Sequence, residues 1–425
     1  MRTTWPWVCA ALLVVCVAGL GGSAGKAGAW FGSPGAPSFA SLREAPFEAA
    51  SFASLREVQD KQDKQEKREK RHGVREARAT PRLVVDVAGA DYLEVIDLRT
   101  KKTVKRIKVG EHPHGLAVGW PVIFNPTTGV SAETDFIYAT VESSGQLVVA
   151  NAETGEVVRK VKVGKRPNQL TLTRDFRFAY VPLREESSVA VVEFEEIVGV
   201  TRIRMTDRSY KPFPRWEYEA KVVKRLPVGA EPHNAYTGER TGRVYVTSVK
   251  GRKIHVFDGY THEALHEIEL PGEPRPMALT RDEKRAYVAL SDFHGFVEVD
   301  LNERKVVRRV ELPASPPGTP EPYLKTYVHG LVLSPDQTEL WVTSYAGGAV
   351  HVYSVPELEL TGTVKVGKSP HWLAWQQPLE SAMQGWRLWV SEMDSNTVSA
   401  IDPVTREVVA TIPTGPSPRR IAVVP

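Results

Sequence analysis

Cysteine is almost absent from this chain. Of its 425 residues only Cys9 and Cys16 are cysteines, and both lie in an apolar stretch near the amino terminus. The rest of the sequence therefore cannot form a disulfide, a thiolate metal site, a thiol nucleophile or a haem-attachment pair. It also contains no Gly-x-Ser-x-Gly nucleophile elbow and no glycine-rich phosphate-binding loop. Nucleophilic catalysis thus has little support in the sequence.

An excess of charge of one sign is also lacking. The formal net charge is +4, from 55 Lys and Arg against 51 Asp and Glu. A protein that binds nucleic acid non-specifically needs a broad basic surface, which this balance does not supply. Nucleic acid is therefore not an expected partner.

A long hydrophobic run suited to a membrane span is missing as well. Arg2 precedes an apolar run from Trp5 to Leu20, which is too short for a comfortable span, and Ala27-Gly28-Ala29 offers a cleavage site. We interpret residues 1–29 as a signal peptide, with a retained anchor as the alternative, and expect a secreted or periplasmic protein without a membrane span after cleavage. Residues 30–80, which end in a run of mixed charge, are predicted to be a disordered or charged linker.

The remaining residues, 81–425, contain a repeat. Seven times a strand-like segment ends in a turn motif that is usually Val-Gly, two residues, Pro and a polar residue. The copies end at Pro113-His114, Pro167-Asn168, Pro232-His233, Pro274-Arg275, Val328-His329, Pro370-His371 and Pro418-Arg419. A period of about 40 to 50 residues built from short strands is typical of a β-propeller. The sequence predicts an all-β fold with seven four-stranded blades.

The two ends of the repeat region are expected to close the ring. The first blade has only three strand-like segments, near Leu83–Val87, Tyr92–Asp97 and Val104–Val109. The carboxyl-terminal segment Ile421–Val424 is a lone apolar strand. We predict that it becomes the innermost strand of the first blade, which removes an open sheet edge.

Several segments resemble a known family. Residues 398–415, Arg243–Ser248 and Leu333–Asp336 are similar to the repeat of the YVTN (YncE-like, WD40/YVTN-like) family of bacterial secreted β-propellers. The resemblance covers residues 81–425 and implies the propeller fold and export. It implies little about function, because this family is a scaffold with several uses. The chain departs from the family at the exit of the second strand, where the family often has Asn and this chain has Ser248, Leu290, Ser344 and Glu392.

The last position of the turn motif gives the candidate site. Loops that join the outermost strand to the next innermost strand line the mouth of the central channel. The ring of candidate ligand-binding residues is His114, Asn168, His233, Arg275, His329, His371 and Arg419. The loops between second and third strands are expected on the same face and add Glu392 and Tyr345 as candidates. Those loops also bring Glu142, Arg184, Glu185, Asp292, His294 and Asp394 nearby.

Three interpretations of this ring remain open. The polar residue after Pro can simply cap its turn, although this does not explain why four of the seven are His in a chain with only 11. The four imidazoles of His114, His233, His329 and His371 can form a transition-metal site, with copper or zinc as the metal, although the two arginines oppose a cation. Alternatively, Arg and His donors, with Trp372 as a stacking platform, can bind an anionic or planar organic ligand.

Two insertions add to this description. Residues 313–328 form a Pro-rich segment on the mouth face, and residues 195–220, rich in Arg and aromatic residues, interrupt the third blade on the opposite face. The second insertion is predicted to be a partner surface or an extra packed hairpin. The sequence as a whole favours a monomeric, noncatalytic scaffold that binds a small ligand or protein at the channel mouth. A copper-dependent or cofactor-binding redox protein and a lactonase-like hydrolase are the alternatives.

Overall fold

The computed structural model describes residues 80–125, 130–133, 135–204, 210–315, 326–378 and 385–425. Side chains are described over 80–121, 135–195, 218–315, 326–378 and 385–425. In these residues the secondary structure consists of strands joined by turns, without a helix. The residues interpreted as a signal peptide, nearly all of the predicted linker and most of the Pro-rich insertion lie outside the described residues.

The strands are named in chain order. The first fifteen are β1 (Arg82–Val87), β2 (Tyr92–Asp97), β3 (Lys102–Lys108), β4 (Pro113–Gly119), β5 (Val122–Asn125), β6 (Val130–Glu133), β7 (Phe136–Val141), β8 (Gln146–Asn151), β9 (Val157–Lys162), β10 (Thr171–Leu172), β11 (Phe178–Leu183), β12 (Ser188–Arg204), β13 (Tyr210–Pro227), β14 (Pro232–Thr237) and β15 (Val244–Ser248). The others are β16 (Lys253–Phe257), β17 (Ala264–Glu269), β18 (Pro274–Leu279), β19 (Arg285–Leu290), β20 (Gly295–Asp300), β21 (Lys305–Glu311), β22 (Leu331–Leu333), β23 (Glu339–Ser344), β24 (Ala349–Ser354), β25 (Leu360–Lys365), β26 (Pro370–Gln376), β27 (Arg387–Glu392), β28 (Thr397–Asp402), β29 (Glu407–Pro413) and β30 (Pro418–Val424).

Twenty-eight of these strands form seven four-stranded antiparallel sheets, which are the blades of a seven-bladed β-propeller. From the outermost strand inwards, the first blade is β3-β2-β1-β30. Blades two to seven, written from the innermost strand outwards, are β4-β7-β8-β9, β10-β11-β12-β13, β14-β15-β16-β17, β18-β19-β20-β21, β22-β23-β24-β25 and β26-β27-β28-β29. The predicted fold class and blade composition are confirmed. An additional hairpin, β5-β6, lies between the first two strands of blade two and was not predicted.

The predicted ring closure is also confirmed. Strand β30 pairs antiparallel with β1, from Arg82 opposite Val424 to Val87 opposite Pro418. The last strand of the chain is therefore the innermost strand of the blade that the chain began. This register leaves one irregularity between Val85 and Val87, which becomes important for the site.

The core lies between adjacent blades. The middle strands are buried along their whole length, as in β7, β11 and β20, because both of their faces contact a neighbouring blade. The outermost strands alternate between covered and exposed residues, as in β21. Hydrophobic clusters cross the blade boundaries: one joins Val84 and Leu93 of blade one to Ile137 and Val148 of blade two. The fold thus positions one end of each innermost strand at a common axis.

The insertion in blade three extends the sheet rather than interrupting it. Strands β12 and β13 run on as one continuous antiparallel pair from Ser188 opposite Pro227 to Arg204 opposite Tyr210. Tyr218 stacks on both Phe136 and Phe194, with ring centroids 4.9 and 5.7 Å away, and its hydroxyl lies 3.0 Å from that of Tyr138. The extra packed hairpin is therefore present. The side chains predicted to form a partner surface lie largely outside the described residues.

Within the described ranges, the structure contains no helix with the length and apolar character needed to cross a membrane.

Candidate functional site

A backbone irregularity turns the residue after each motif proline toward the channel. In blade two, Pro113 lies opposite Val141 but Gly115 lies opposite Thr140, so His114 is an extra residue in the ladder. Register shifts follow the corresponding proline at Pro232 and Pro370 as well. A bulge of this kind re-aims a side chain out of the sheet. The repeated turn motif thus delivers one side chain per blade to the same region.

The four histidines of the predicted ring come together in the structure. The ring centroids of His114 and His233 are 6.0 Å apart, and those of His233 and His329 are 6.1 Å apart. His329 and His371 are stacked, with centroids 3.6 Å apart and planes at 27°. All four side chains are buried. They form one cluster, which we call the histidine cluster.

Burial keeps the histidine cluster neutral. Loss of solvation lowers the pKa of each of the four imidazoles well below its ordinary value, and the nearby charge of Arg420 lowers it further. Neutral imidazoles each offer one N–H donor and one acceptor nitrogen. Both ring nitrogens of His371 and Nδ1 of His114 have no hydrogen-bond partner. The cluster therefore retains unused hydrogen-bonding capacity inside the channel.

The other predicted ring positions also lie at the channel. Arg275 donates from Nε to Ser291 Oγ at 2.5 Å and from Nη1 to Nε2 of His233 at 3.0 Å. The amide nitrogen of Asn168 is buried without a partner, while its Oδ1 accepts from the backbone of Gln169. Arg419 is half-buried, and its Nε also lacks a partner.

Arg420 is a site residue that the sequence interpretation missed. Its side chain is fully buried, and its guanidinium carbon lies 3.9 Å from the ring centroid of Trp372. Nη1 is 3.4 Å from Nδ1 of His329, whereas Nε and Nη2 have no hydrogen-bond partner. Burial lowers the pKa of this guanidinium to about 10, which still leaves it charged at neutral pH. A buried cation with two unused donors is costly unless something negative occupies the space beside it.

Asp86 is the second residue that the sequence interpretation missed. Its Oδ1 accepts hydrogen bonds from the backbone nitrogens of Arg419 and Arg420, at 2.9 and 2.7 Å. Oδ2 is buried and has no partner. Burial raises the pKa of this carboxyl from 3.8 to about 7, against the opposing effect of the two arginines. Near neutral pH, Asp86 is thus only a partial counter-charge to Arg420.

Hydroxyl groups occupy the position of Asp86 in four other blades. Thr140 Oγ1 accepts from Gly115 N at 2.8 Å and donates to the carbonyl of Asn168, in the next blade, at 3.0 Å. The same bridge recurs in two blades: Thr247 joins Asn234 N to Arg275 O, and Ser391 joins Trp372 N to Arg419 O. Thr343 accepts from Gly330 N at 2.7 Å. We call these four residues the hydroxyl belt, and it fixes the backbone from which the ring residues project.

Most of the charged residues predicted near the mouth already have hydrogen-bond or ion-pair partners. Arg166 lies 3.6 Å from Glu142 and 3.4 Å from Glu185, and Arg184 lies 3.3 Å from Glu231. Asp292 lies 3.5 Å from Arg252, Asp394 accepts from Ser369 Oγ at 2.5 Å, and His294 packs 5.3 Å from Tyr327. These residues form a paired rim around the channel rather than a second reactive cluster.

Two further candidates have structural contacts. Glu392 is buried, accepts from the backbone nitrogen of Gly367 at 2.8 Å, and also accepts from Thr397 Oγ1. It therefore holds the turn before His371. Tyr345 is buried 6.4 Å from the His371 ring, and its hydroxyl contacts Met393 Sδ at 3.8 Å. Tyr345 thus borders the histidine cluster, whereas Glu392 stabilises the turn that precedes His371.

The inventory of unused groups favours an anion over a cation. Around the histidine cluster, unpartnered donors come from Arg420, Arg419 and Asn168, and the unpartnered charged acceptor is one carboxylate oxygen of Asp86, whereas the neutral imidazoles can either donate or accept. Over the residues that the structure describes, no group of three or more His, Cys, Asp or Glu side chains is arranged to hold a metal ion. The channel is therefore chemically matched to a ligand that accepts hydrogen bonds and carries negative charge.

Comparison with known proteins supports the fold and nothing finer. No family model matches the chain, and no curated protein matches it significantly. Among solved structures it is similar to a putative 6-phosphogluconolactonase from Bacteroides uniformis, with 15 % identity and a TM-score of 0.56, over 81 % of this chain and 100 % of that one. It is also similar to apo AztD from Citrobacter koseri (14 % identity, TM-score 0.51, 81 % and 97 % covered) and to the dihydro-heme d1 dehydrogenase NirN in complex with DHE (14 %, 0.50, 81 % and 74 %). These structures show that the chain has a propeller fold.

Proposed function

We propose that this chain is an exported binding protein, without catalytic activity of its own, whose channel mouth takes up a small anionic ligand. The observation that carries the proposal is the fully buried guanidinium of Arg420, whose Nε and Nη2 have no hydrogen-bond partner. These two nitrogens lie on the same edge of the guanidinium, which is the edge that binds a carboxylate or phosphate through two parallel hydrogen bonds.

The surroundings of Arg420 support the same ligand class. The neutral imidazole of His371 and the amide of Asn168 add donors that carry no opposing charge. Trp372 packs against the guanidinium, with its ring centroid 3.9 Å from the guanidinium carbon, and limits its movement. Preorganised donors in a buried site bind an anion more strongly than the same groups do in water, because little reorganisation is needed.

Export and family membership belong to the same proposal. The apolar run at residues 5–20 with its cleavage site supports a secreted or periplasmic location. The strand segments at 243–248, 333–336 and 398–415 support membership of the YVTN-type propellers. Export can be tested by isolating the mature protein and determining its amino-terminal residue, which we expect near Trp30.

A lactonase-like hydrolase is the second candidate. It is favoured by the cationic channel, which suits an acid product, together with the likeness to a structure named as a putative 6-phosphogluconolactonase. The four buried imidazoles supply neutral bases for activating water. Release of acid from 6-phosphogluconolactone by the wild type, lost in His371→Asn, would establish this activity. Equal rates with and without the protein would leave only the binding role.

Calorimetry with simple anions tests the binding role. We expect the wild type to bind at least one of gluconate, citrate, phosphate and sulfate when titrated against a chloride reference of equal ionic strength. Arg420→Met should weaken that binding by about 10- to 100-fold, the value of one charge-assisted hydrogen bond of about 1.5–3 kcal/mol. Arg420→Lys keeps the charge but loses the paired donors, so its anion affinity should lie between those of the wild type and Arg420→Met.

Arg309→Met is the matched control. Arg309 is an exposed arginine of β21 whose guanidinium carbon lies 3.6 Å from the Phe293 ring centroid, so it reproduces the stacking of Arg420 away from the channel. Its replacement should leave anion affinity unchanged. If no anion binds the wild type while copper or zinc is retained at about one ion per chain, the metal interpretation of the histidine cluster would replace this proposal.

A further inference from the structure

We propose that Asp86 couples anion binding at the channel to the uptake of one proton, so that the site takes up an anion together with a proton. The inference rests on the proposed function, since it describes how that same site is regulated. It concerns a residue outside the turn motif, on the second strand from the channel.

The position of Asp86 in the fold gives the first argument. The motif proline Pro113 pairs with Val141, and Thr140, one residue earlier, faces the bulge of the innermost strand. In the first blade Pro418 pairs with Val87, so Asp86 occupies the position of Thr140. In blades two, four and seven the residue at this position has a hydroxyl that accepts from the bulge and donates to the next blade. Asp86 makes the accepting half of that bridge through Oδ1, while Oδ2 remains unpartnered. Only the protonated carboxyl has a hydrogen that Oδ2 can donate, as the hydroxyls do.

The charges around Asp86 give the second argument. Arg419 and Arg420 on β30 are the charged groups that act on it, and on its other side β2 places the apolar Leu93 opposite. Tyr236, His114, His233, His329 and His371 face Arg420 and are neutral at pH 7. Among the residues that the structure describes, Asp86 is thus the one carboxylate that acts on the cationic pair Arg419 and Arg420. A bound anion takes over that role and places a second negative charge beside the carboxyl.

The carboxylate of Asp86 and a bound anion repel each other strongly in this poorly solvated space. This repulsion raises the pKa of the weaker acid, which then gains a proton. The pKa of Asp86 is already about 7 without a ligand, and a neighbouring anion raises it further. At pH 8, the free site holds mainly ionised Asp86 and the occupied site mainly protonated Asp86. Binding then consumes a proton, and by linkage affinity falls as pH rises above about 7, by up to about tenfold per pH unit.

Calorimetry in two buffers measures the proton directly. The probes are sodium gluconate and sodium sulfate. Neither anion titrates between pH 6 and 8.5, so any proton taken up is bound by the protein. Comparing the two distinguishes a site for carboxylates from a site for sulfate-type anions. At pH 8, the heats in buffers of different protonation enthalpy should give roughly half to one proton taken up per anion. Affinity at pH 8.5 should be at least about tenfold weaker than at pH 6.

Two variants identify the group that takes up the proton. Asp86→Asn and Asp86→Thr should bind the probe without proton uptake and with an affinity that does not change with pH. The Thr variant places in the first blade the hydroxyl that the hydroxyl belt has in four other blades. Glu94→Gln is the matched control: Glu94 is a buried acid of the same blade that accepts from Gly415 N at 2.9 Å, away from the histidine cluster, and its replacement should leave the proton count unchanged.

The outcomes separate the two proposals. If neither probe binds the wild type at pH 6, the anion-binding function itself is wrong. If a probe binds equally at pH 6 and 8.5 with no proton taken up, the function stands and the coupling is wrong. Proton uptake that persists in folded Asp86→Asn would assign it to another group. Should both Asp86 variants fail to fold, the proton count of the wild type alone decides whether coupling exists.

Discussion

The guanidinium of Arg420 packs over the indole of Trp372, with 3.9 Å between the guanidinium carbon and the ring centroid. The two residues belong to the innermost strands of different blades, β30 and β26, and both follow the residue that bulges into the channel. Their contact links the last blade to the first across the closure of the ring. It also explains why a cation tolerates full burial here: the aromatic face supplies part of the missing stabilisation.

Removing the indole should therefore disturb both stability and binding. We expect Trp372→Leu to destabilise the protein by about 2–4 kcal/mol, because it removes a large half-buried side chain that packs against the core cluster of blades seven and one. The affinity for an anion should fall with it, since Arg420 loses the contact that limits its movement. Urea unfolding and calorimetry measure the two effects. Trp372→Phe keeps an aromatic face and should lose clearly less in both; an equal loss would mean that stacking is unimportant.

The hydroxyl belt predicts a clear difference between two substitutions of Thr140. Thr140→Val keeps the shape but strands the buried backbone groups of Gly115 and Asn168, and should cost about 2 kcal/mol of unfolding free energy. Thr140→Ser keeps both hydrogen bonds and should cost less than half as much. The exposed Thr405 provides the control, as Thr405→Val should change stability by less than about 0.5 kcal/mol. Equal stabilities of the Val and Ser variants would show that the belt has no structural role.

Deletion of residues 420–425 should unfold far more than six residues. Those residues carry most of the pairing between β30 and β1, and Ile421 and Val424 are buried in the clusters of blades seven and two. The truncated chain has an open first blade with an unpaired apolar edge, so we expect loss of the cooperative thermal transition or aggregation. Circular dichroism during heating gives the answer. A truncated protein that melts like the full chain would refute the closure as a source of stability.

Asp86 should make the protein less stable as the pH rises. Its folded pKa of about 7 lies above its ordinary value of 3.8, so the stability that it contributes is complete below about pH 4 and is lost as the pH rises to 7. The full difference is at most about 4 kcal/mol, at 1.36 kcal/mol per pKa unit. Asp86→Asn lacks this dependence. The free energy of unfolding of Asp86→Asn, relative to wild type, should therefore increase between pH 4.5 and 7.5; a constant difference would contradict the raised pKa.

The histidine cluster should make the protein less stable as the pH falls, which is the opposite of the effect of Asp86. Its four folded pKa values lie well below 6.5, so the stability that they contribute is present above pH 6.5 and is lost as the pH falls, because the unfolded chain then binds protons that the folded chain cannot. The double variant His329→Asn, His371→Asn should lose less stability than the wild type between pH 7.5 and 5. Parallel profiles for the wild type and the double variant would be inconsistent with buried, neutral imidazoles.

The repeat made most of the fold predictable. The turn motif with its proline marks the start of an innermost strand at β4, β14, β18, β26 and β30, and the lone strand at 421–424 predicted the closure. The hairpin β5-β6 was missed because it lies inside one blade and has no counterpart in the repeat. The repeat in the sequence predicts the strands that all blades share, but it does not predict a feature found in one blade.

The same limit applies to the site. The ring of His114, His233, His329 and His371 was predicted because its members occupy one repeated position. Arg420 and Asp86 were missed because they are exceptions within their own series. At the position of Arg420 the other blades have Gly, Gln, Asn, Pro or Trp, and at the position of Asp86 four blades have Thr or Ser and the other two have Pro182 and Ala289. The signal was present in the alignment of second strands, where Thr140, Thr247, Thr343 and Ser391 follow an aromatic residue at the same distance. The carboxylate at this position in the first blade, where the other blades have Thr, Ser, Pro or Ala, could have identified Asp86.

Asp86 and Arg420 are 334 positions apart in the chain, although the carboxylate of one receives the backbone N–H of the other. Asp86 is thus synthesised 334 residues before Arg420. A chain that is still growing on the ribosome, or that has lost its final strand to a protease, contains the histidines but not the arginine that completes their surroundings. Anion binding at this channel would accordingly report that β30 has paired with β1 and closed the ring, and a ligand would select closed molecules over open ones.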